Sequence, residues 1–453
     1  MTDVLIVTLG TSPDPIINCI SSLRPDRTVF VCSVESQKLV ETVSANVQLP
    51  DFNSGRDVVV LRQRLRGKRP GQDEVNEIDQ LDRVYQRAHE LFAQVRHENP
   101  GCRIIADYSG GTKTMTTGLA MAAIDDGHVK LHLTISDRSP GQPTLSGYSS
   151  PVAVSTAAIH ARRLRERELP PLLKRFDYEA ARQAVRRVQT LDNQDLVTTS
   201  WLQGLETLLV SLDAWDRFDH GKALEVLQGL NDRRFDQLLL FPLKRVIGSR
   251  RLVDEKDAEA ERWPQIKGHG LEAVEDLLRN AERRAAQQRY DDAVGRLYRA
   301  LELTAQLLLK TGVRGKVGPA GLDTSKVDVD KLPPEIQARF AEEQKQPPVK
   351  VGLSEAWDLL ADLGHPAGIL WRERRSQLHE KLEVRNLSLF AHGFTPVTYE
   401  SWRQMEVVVV QFLKQVVSEQ PRYTDASALP QLPQSLVELE PGQSVPPASA
   451  KPS

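Results

Sequence analysis

Residues 103–115 read Arg103-Ile-Ile-Ala-Asp107-Tyr-Ser-Gly-Gly-Thr-Lys-Thr-Met115. The run that ends at Asp107 is short and apolar, as in a buried strand, and the alanine-rich residues after Met115 predict a helix. The two glycines between them let the backbone approach a ligand, and the N-terminus of a helix offers free N–H groups to an anion. The segment therefore predicts a strand, an anion-binding loop and a helix in succession.

Apolar runs and helical patterns alternate in the same way through the first third of the chain. The predicted strands are residues 4–8, 28–32, 57–61, 103–107 and 129–135, and the predicted helices are residues 15–23, 36–43, 73–96 and 113–125. Continuously apolar strands between helices indicate a parallel sheet that is covered on both faces. In such sheets a ligand binds beyond the carboxyl ends of the strands, where the strand order reverses.

A second polar loop, residues 8–13, follows the first predicted strand. We expect Thr11 or Ser12 to cap a helix that Pro13 opens. The loop within residues 107–115 adds hydroxyl groups and one lysine, which suit a phosphate. It lacks the glycine that a Walker motif places directly before its lysine, so it is not a P-loop. A tight turn without a ligand remains the alternative for this loop.

These two loops resemble the signature loops of CARF domains, the Rossmann-like sensors of CRISPR-associated proteins, and the resemblance covers residues 1–155. It implies a domain that dimerises and binds cyclic oligoadenylate across the dimer axis. This activator is the only small molecule that it implies, and no cofactor is expected. The ligand-binding residues that it implies are Gly10, Thr11, Ser12, Asp107, Ser109, Gly110, Gly111, Thr112, Lys113 and Thr114.

From Ser155 onward strand patterns disappear and amphipathic helical spacing prevails, which predicts an all-α C-terminal region. Similar helix starts at Phe176, Phe218 and Tyr290 indicate antiparallel helix pairs with aspartate caps, and residues 156–270 are interpreted as a helical connector. The residues after it predict a helical domain, 271–419, with a less regular insert at 311–350. Residues 420–453 contain much Pro, Ser and Gln and few large apolar residues, so a disordered tail is expected.

The segment from Glu383 to Gly393 carries the candidate catalytic residues of the helical domain. Arg385 and His392 are seven residues apart and would share one face of a helix, within about 60° together with Ser388. A guanidinium can clamp a phosphoryl oxygen, and an imidazole can move a proton near neutral pH. We expect Gly393 to end this helix. The alternative is a helix end with an ordinary exposed arginine and histidine.

This segment resembles the R-x4–6-H motif of HEPN ribonucleases, with six intervening residues and the frequent asparagine, Asn386, after the arginine. The resemblance covers residues 271–419 and implies metal-independent cleavage of single-stranded RNA by attack of a 2′-hydroxyl on the adjacent phosphate. It implies that Arg385 stabilises the phosphorane, that His392 transfers a proton or positions the 2′-hydroxyl, and that Asn386 orients the helix or substrate. Because two such motifs usually face each other across a dimer, a homodimer is expected.

Composition narrows the remaining classes of function. The 453 residues are too many for one core, and 59 basic against 61 acidic side chains exclude a broadly basic nucleic-acid surface, so RNA contacts should be local. The three cysteines form no CxxC pair, which argues against a disulfide framework or a structural zinc site. The N-terminus does not resemble a signal peptide, and no run of 18 apolar residues occurs, so a cytoplasmic protein without membrane contact is expected.

Three alternatives to an activated ribonuclease stay open. One is a ligand-binding protein whose helical domain only dimerises or recruits partners. Another is cleavage of the ligand within the sensor domain, where Thr11, Ser12, Thr112 and Lys113 would position the ring for attack by its own 2′-hydroxyl. The third, a ligand-controlled transcription factor, needs a helix-turn-helix domain, and the C-terminal half is too long and not basic enough for one. The ring size and the RNA preference are not determined by the sequence.

Overall fold

The computed structural model describes residues 2–62, 77–136, 149–191, 196–250, 268–312, 326–342, 349–389, 393–421, 423–425 and 428–440. The chain forms two compact units, one of residues 1–162 with 188–199 and the other of residues 163–187 with 200–453. Among the helices in the described ranges, none is both long and apolar enough to cross a bilayer.

The first unit is built on a six-stranded sheet. Its strands are β1 (Asp3–Leu9), β2 (Arg27–Ser33), β3 (Val58–Leu61), β4 (Arg103–Asp107), β5 (Lys130–Ser136) and β6 (Ser149–Ala153). Their order is β3-β2-β1-β4-β5-β6, with β1 to β5 parallel and β6 antiparallel to β5. The helices are α1 (Asp14–Leu23), α2 (Leu39–Asn46), α3 (Ser54–Asp57), α4 (Leu81–Glu98) and α5 (Lys113–Asp126). The predicted Rossmann-like fold is confirmed, and the order reverses between β1 and β4.

Alternation of side chains along β1 explains why the strand patterns are continuously apolar. Val4 and Ile6 pack in the core beneath α4 and α5, whereas Leu5 and Val7 pack in the core beneath α1 and α2. A strand that is buried on both faces has no polar position to alternate with. The edge strand β6 was not predicted, because its five residues include two serines and Pro151, a residue that sheets accept mainly at an edge.

Helices dominate the rest of the chain. They are α6 (Ala157–Arg163), α7 (Leu169–Lys174), α8 (Tyr178–Gln189), α9 (Leu196–Asp216), α10 (His220–Leu230), α11 (Phe241–Arg250), α12 (Glu272–Ala286), α13 (Tyr290–Thr311), α14 (Pro334–Glu342), α15 (Leu353–Asp362), α16 (Pro366–Asn386), α17 (Tyr399–Ser418) and α18 (Leu436–Leu439). The predicted all-α character is confirmed apart from one small pair of antiparallel strands, β7 (Lys326–Val327) and β8 (Val349–Lys350), within the 311–350 insert.

The three similar helix starts share one turn geometry. Phe176, Phe218 and Gln288 have φ values of 55°, 63° and 61°, the left-handed conformation that closes a helix. In each turn the following N–H donates 2.9 Å to a carbonyl oxygen five residues earlier. Asp177 and Asp219 then cap the next helix, as expected. The expected cap is wrong for the third start, where α13 has no side-chain cap.

The HEPN-like helices α12, α13, α15, α16 and α17 surround one apolar core. At its centre the rings of Trp357 and Trp371 stack with centroids 5.4 Å apart, and Phe412 packs edge-on against both. The interpretation of residues 156–270 as a separate connector needs correction, because residues 163–187 and 200–250 belong to the same compact unit as these helices.

The expectation of a disordered tail is wrong for residues 428–440, and residues 441–453 lie outside the described part of the chain. Leu429, Leu432 and Leu439 are buried, and α18 forms in this segment. The hydroxyl of Tyr178 donates 2.8 Å to the carbonyl oxygen of Pro433, which fastens the segment to α8. Three buried leucines are too few to change the composition that suggested disorder.

Candidate functional site

The two predicted ligand loops lie side by side, because each follows one of the neighbouring strands β1 and β4. A Cβ atom at Gly10 would lie 2.7 Å from the backbone nitrogen of Gly111, and one at Gly110 would overlap the carbonyl oxygen of Thr8. Gly111 itself has a φ of +97°, which favours glycine. The glycines therefore allow the two loops to touch through their backbones, and the Thr8 hydroxyl donates to the Gly110 carbonyl oxygen.

Two residues of the second loop have a structural function within the protein. The Asp107 carboxylate is completely buried, accepting from the Ser109 N–H at 3.0 Å and from the Thr134 hydroxyl at 3.0 Å. The Ser109 hydroxyl oxygen in turn accepts from the Thr134 N–H at 2.6 Å. Burial raises the pKa of the nearby Cys19 thiol, and the charge of Asp107 raises it further. Thr134, which lies inside a strand, carried no sequence signal of this contact.

The exposed edge of the loops carries the groups that are available to a ligand. The side chains of Thr11, Ser12, Thr112 and Lys113 are exposed, and Thr114 is half-buried. The expected cap by Thr11 or Ser12 is wrong, because α1 begins at Asp14 without a side-chain cap. Within the described ranges, the side chains of Thr11, Ser12 and Lys113 make no hydrogen bond or ion pair.

The same edge includes the N-terminus of α5. Lys113 is the first residue of this helix, and the Thr112 hydroxyl oxygen caps it by accepting from the Met115 N–H at 3.3 Å. The remaining free N–H groups of the first turn and the ammonium of Lys113 form a positively charged edge beside the two loops. Such an edge suits a phosphate group.

In the second unit, Arg385 lies in the last turn of α16 and Asn386 is the final residue of that helix. The guanidinium carbon of Arg385 lies 4.3 Å from the centre of the Tyr298 ring on α13. The Arg385 Nη1 lies 3.5 Å from the side-chain oxygen of Asn386. His392 lies outside the described residues. The expectation that one helix carries Arg385, Ser388 and His392 on a shared face is wrong, because α16 ends at Asn386.

The chain after α16 returns to the end of the helix. The carbonyl oxygen of Leu387 accepts from the Thr395 N–H at 3.0 Å, and that of Ser388 accepts from the Gly393 N–H at 3.3 Å. A Cβ atom at Gly393 would overlap the Leu387 carbonyl oxygen. Gly393 therefore permits a close backbone approach and does not end the helix. Ser388 is buried and its hydroxyl donates 2.8 Å to the Arg385 carbonyl oxygen, so it does not face a cleft.

Large apolar side chains are exposed around this turn. The exposed fraction is 58% for Leu387, 63% for Leu389 and 87% for Phe394. A cluster of exposed apolar residues beside a charged group is typical of a surface that meets another molecule.

Among the described residues, no group of three or more His, Cys, Asp or Glu side chains is placed to hold a metal ion.

Comparisons with known proteins agree with this architecture. Residues 265–416 match the family model described as the Csm6 HEPN domain. Among solved structures, the chain resembles Enterococcus italicus Csm6 bound to cyclic hexa-2'-fluoro-hexa-dAMP, with a TM-score of 0.58 and 13% identity over 95% of this chain and 97% of that chain. At 13% identity, this likeness shows only that the two proteins share a fold. No curated protein matches the chain in sequence.

Proposed function

We propose that this chain is a CARF–HEPN protein of the kind found in CRISPR systems, with a HEPN domain of the Csm6 type. Its activity would be that of a ribonuclease that cyclic oligoadenylate activates in type III CRISPR antiviral defence. The observation that carries the proposal is Arg385, which lies in the segment matched by the Csm6 HEPN model and has no carboxylate partner among the described residues. A guanidinium that no carboxylate neutralises is available to a phosphate.

The proposed reaction is transesterification of single-stranded RNA. The 2′-oxygen forms a bond to the adjacent phosphorus while the bond from phosphorus to the 5′-oxygen breaks, which leaves a 2′,3′-cyclic phosphate and a free 5′-hydroxyl. Arg385 stabilises the charge that develops on the phosphorane oxygens. His392 removes the proton of the attacking hydroxyl or positions that hydroxyl, the departing 5′-oxygen takes a proton from water, and Asn386 orients the substrate. These steps need no metal ion.

The exposed apolar residues Leu387, Leu389 and Phe394 support a homodimer, because a second copy would cover them and bring the two Arg385 side chains to one composite site. In the sensor domain, the positive edge at Thr112 and Lys113 suits the phosphates of a cyclic oligoadenylate of four or six nucleotides. For activation, the ligand must bind more tightly to the dimer arrangement in which the composite site is complete.

The test is cleavage of a fluorogenic single-stranded RNA in EDTA, without ligand and with cyclic tetra- or hexa-adenylate. We expect cleavage only with one ring size, and its loss in Arg385→Ala and His392→Ala. Arg375→Ala is the matched control, because Arg375 lies on the same helix in an exposed ion pair with Asp358. Absence of cleavage with both rings would exclude the nuclease and leave the ligand-binding protein. Cleavage that survives Arg385→Ala would place the active site elsewhere.

Cleavage of the ring itself is a second candidate activity, which the unbonded hydroxyls of Thr11 and Ser12 favour. Bound near a 2′-hydroxyl of the ring, they would orient it toward the adjacent phosphate. Incubation of the protein with each ring, followed by chromatography, shows this activity as linear products. Loss of those products in Ser12→Ala, with ring binding retained, is expected, whereas an intact ring after long incubation would exclude the activity.

A further inference from the structure

Tyr298 lies beside Arg385, and no motif in the sequence identified it. It lies on α13, between the completely buried Leu297 and Leu301, so the backbone that carries its ring is fixed in the core. Its ring lies 4.3 Å from the guanidinium carbon of Arg385, and both side chains are half-buried. A contact at this distance is within the range of a cation–π interaction.

Other arginines of the same helical bundle are held differently. The Nη2 atom of Arg372 lies 2.5 Å from an Asp362 carboxylate oxygen, and that of Arg375 lies 3.2 Å from Asp358. A carboxylate occupies N–H donors at the edge of the guanidinium and neutralises its charge. In an arginine held in this way, part of the donor edge and of the positive charge is already engaged within the protein.

The contact between Arg385 and Tyr298 has a different consequence, because the guanidinium carbon lies over an aromatic ring, which does not neutralise the positive charge as a carboxylate does. Stacking restricts the orientation of the guanidinium plane, while the N–H donors point outward in that plane. Within the described residues, the one hydrogen bond of the Arg385 side chain is the 3.5 Å contact to Asn386. The positive charge and nearly all of the donors therefore remain available.

We propose that Tyr298 is a positioning residue for Arg385, which holds the guanidinium by its face so that its N–H donors meet the phosphorane oxygens. This inference rests on the proposed ribonuclease function. An arginine that is already oriented needs no further ordering when the transition state forms, which increases the rate of the chemical step. Loss of the ring should therefore lower kcat more than it raises KM.

The experiment compares Tyr298→Phe and Tyr298→Leu by single-turnover RNA cleavage with saturating activator. Tyr298→Phe retains the ring face and should cleave within about twofold of wild type. Tyr298→Leu removes the ring but keeps apolar volume, and a fall in the cleavage rate of about tenfold with little change in KM is expected. Tyr298→His, with a smaller ring, serves as a second variant if the leucine variant does not fold.

A double variant separates positioning from a general loss of structure. If Tyr298 acts through Arg385, Tyr298→Leu has no further effect on the residual rate of Arg385→Ala. The same tenfold loss in both backgrounds would overturn the proposal, and so would wild-type cleavage by Tyr298→Leu.

A readout without RNA distinguishes failure of this inference from failure of the proposed function. In the resting protein the Arg385 side-chain N–H resonance should show an upfield ring-current shift that Tyr298→Phe retains and Tyr298→Leu removes. If wild type cleaves no RNA but shows this shift, the ribonuclease proposal fails while the stacking remains. If the shift is absent from wild type, Tyr298 does not hold Arg385 and the inference is overturned.

Discussion

Replacement of Asp276 by alanine should destabilise the second unit by about 3–5 kcal/mol. Asp276 lies on α12 and is 1% exposed. Its carboxylate accepts from His220 Nε2 at 3.0 Å, from Trp215 Nε1 at 3.2 Å and from an Arg283 Nη2 at 3.4 Å. Removal of the carboxylate leaves three buried donors without this acceptor, at roughly 1 kcal/mol or more each. Arg283 keeps Asp216 as a second partner at 2.7 Å, which limits the loss.

The dependence of this effect on pH follows from the pKa of Asp276. Burial alone would raise the pKa, but the hydrogen bond from His220 and the positive charge of Arg283 outweigh it and hold the pKa below its usual value. A carboxyl group with a lowered folded-state pKa contributes stability above its unfolded pKa of about 3.9, and this contribution is lost as the pH falls through the folded value. The difference in the free energy of unfolding between wild type and Asp276→Asn should therefore become smaller as the pH falls below about 4.

Urea unfolding of the full chain, followed by tryptophan fluorescence and circular dichroism, measures both effects. Trp215 donates to the altered carboxylate, so its emission reports on the site. Glu168→Ala is the control, because Glu168 forms an exposed ion pair with Arg187, and a loss of less than about 1 kcal/mol is expected. If Asp276→Ala costs no more than this control, the buried network does not hold α9 and α10 against α12.

Three further outcomes are expected. Gly110→Ala should cost about 1–3 kcal/mol and abolish binding of cyclic oligoadenylate in a calorimetric titration, because its Cβ would overlap the Thr8 carbonyl oxygen; unchanged affinity would contradict this. Lys113→Met should weaken ligand binding about tenfold at unchanged Tm, since the exposed ammonium supports no contact within the described fold; equal affinity would exclude a role for Lys113. Tyr178→Phe should lower the free energy of unfolding by about 1 kcal/mol through loss of its bond to Pro433, and a smaller change would show that the bond does not fasten the C-terminal segment.

The Rossmann-like fold of the first unit was predictable because its strands are buried on both faces. Such strands give continuous apolar runs, and the glycines and hydroxyls that end β1 and β4 give a loop signal that needs no tertiary information. The edge strand β6 has neither feature. The interactions of Asp107 and Ser109 with Thr134 also could not be predicted, because a threonine inside a strand looks the same whether it faces a loop or another layer.

The end of α16 could not be predicted for a related reason. Leu387, Ser388 and Leu389 continue an acceptable helical pattern, since helix propensity depends on neighbours in sequence. The helix instead ends where the returning chain supplies Thr395 N–H to the Leu387 carbonyl oxygen, which is a contact between residues outside any one helical window. Tyr298 was missed because a tyrosine at a half-buried helical position usually belongs to the core.

Each of the two candidate sites contains a cation that has no carboxylate partner among the described residues. The chain is nearly neutral, and buried arginines such as Arg27 and Arg283 are neutralised by carboxylates at 2.7–2.8 Å. Lys113 and Arg385 have no such partner among the described residues. Lys113 is the first residue of α5, and Arg385 lies in the last turn of α16. An anion that binds beside either residue meets a charge that the fold has not already compensated. Because the net charge of the whole chain attracts neither RNA nor a cyclic nucleotide, affinity for both should depend on these few local charges. The salt dependence of RNA binding should therefore be shallow, and a steep dependence would indicate a broad basic surface that the described residues do not show.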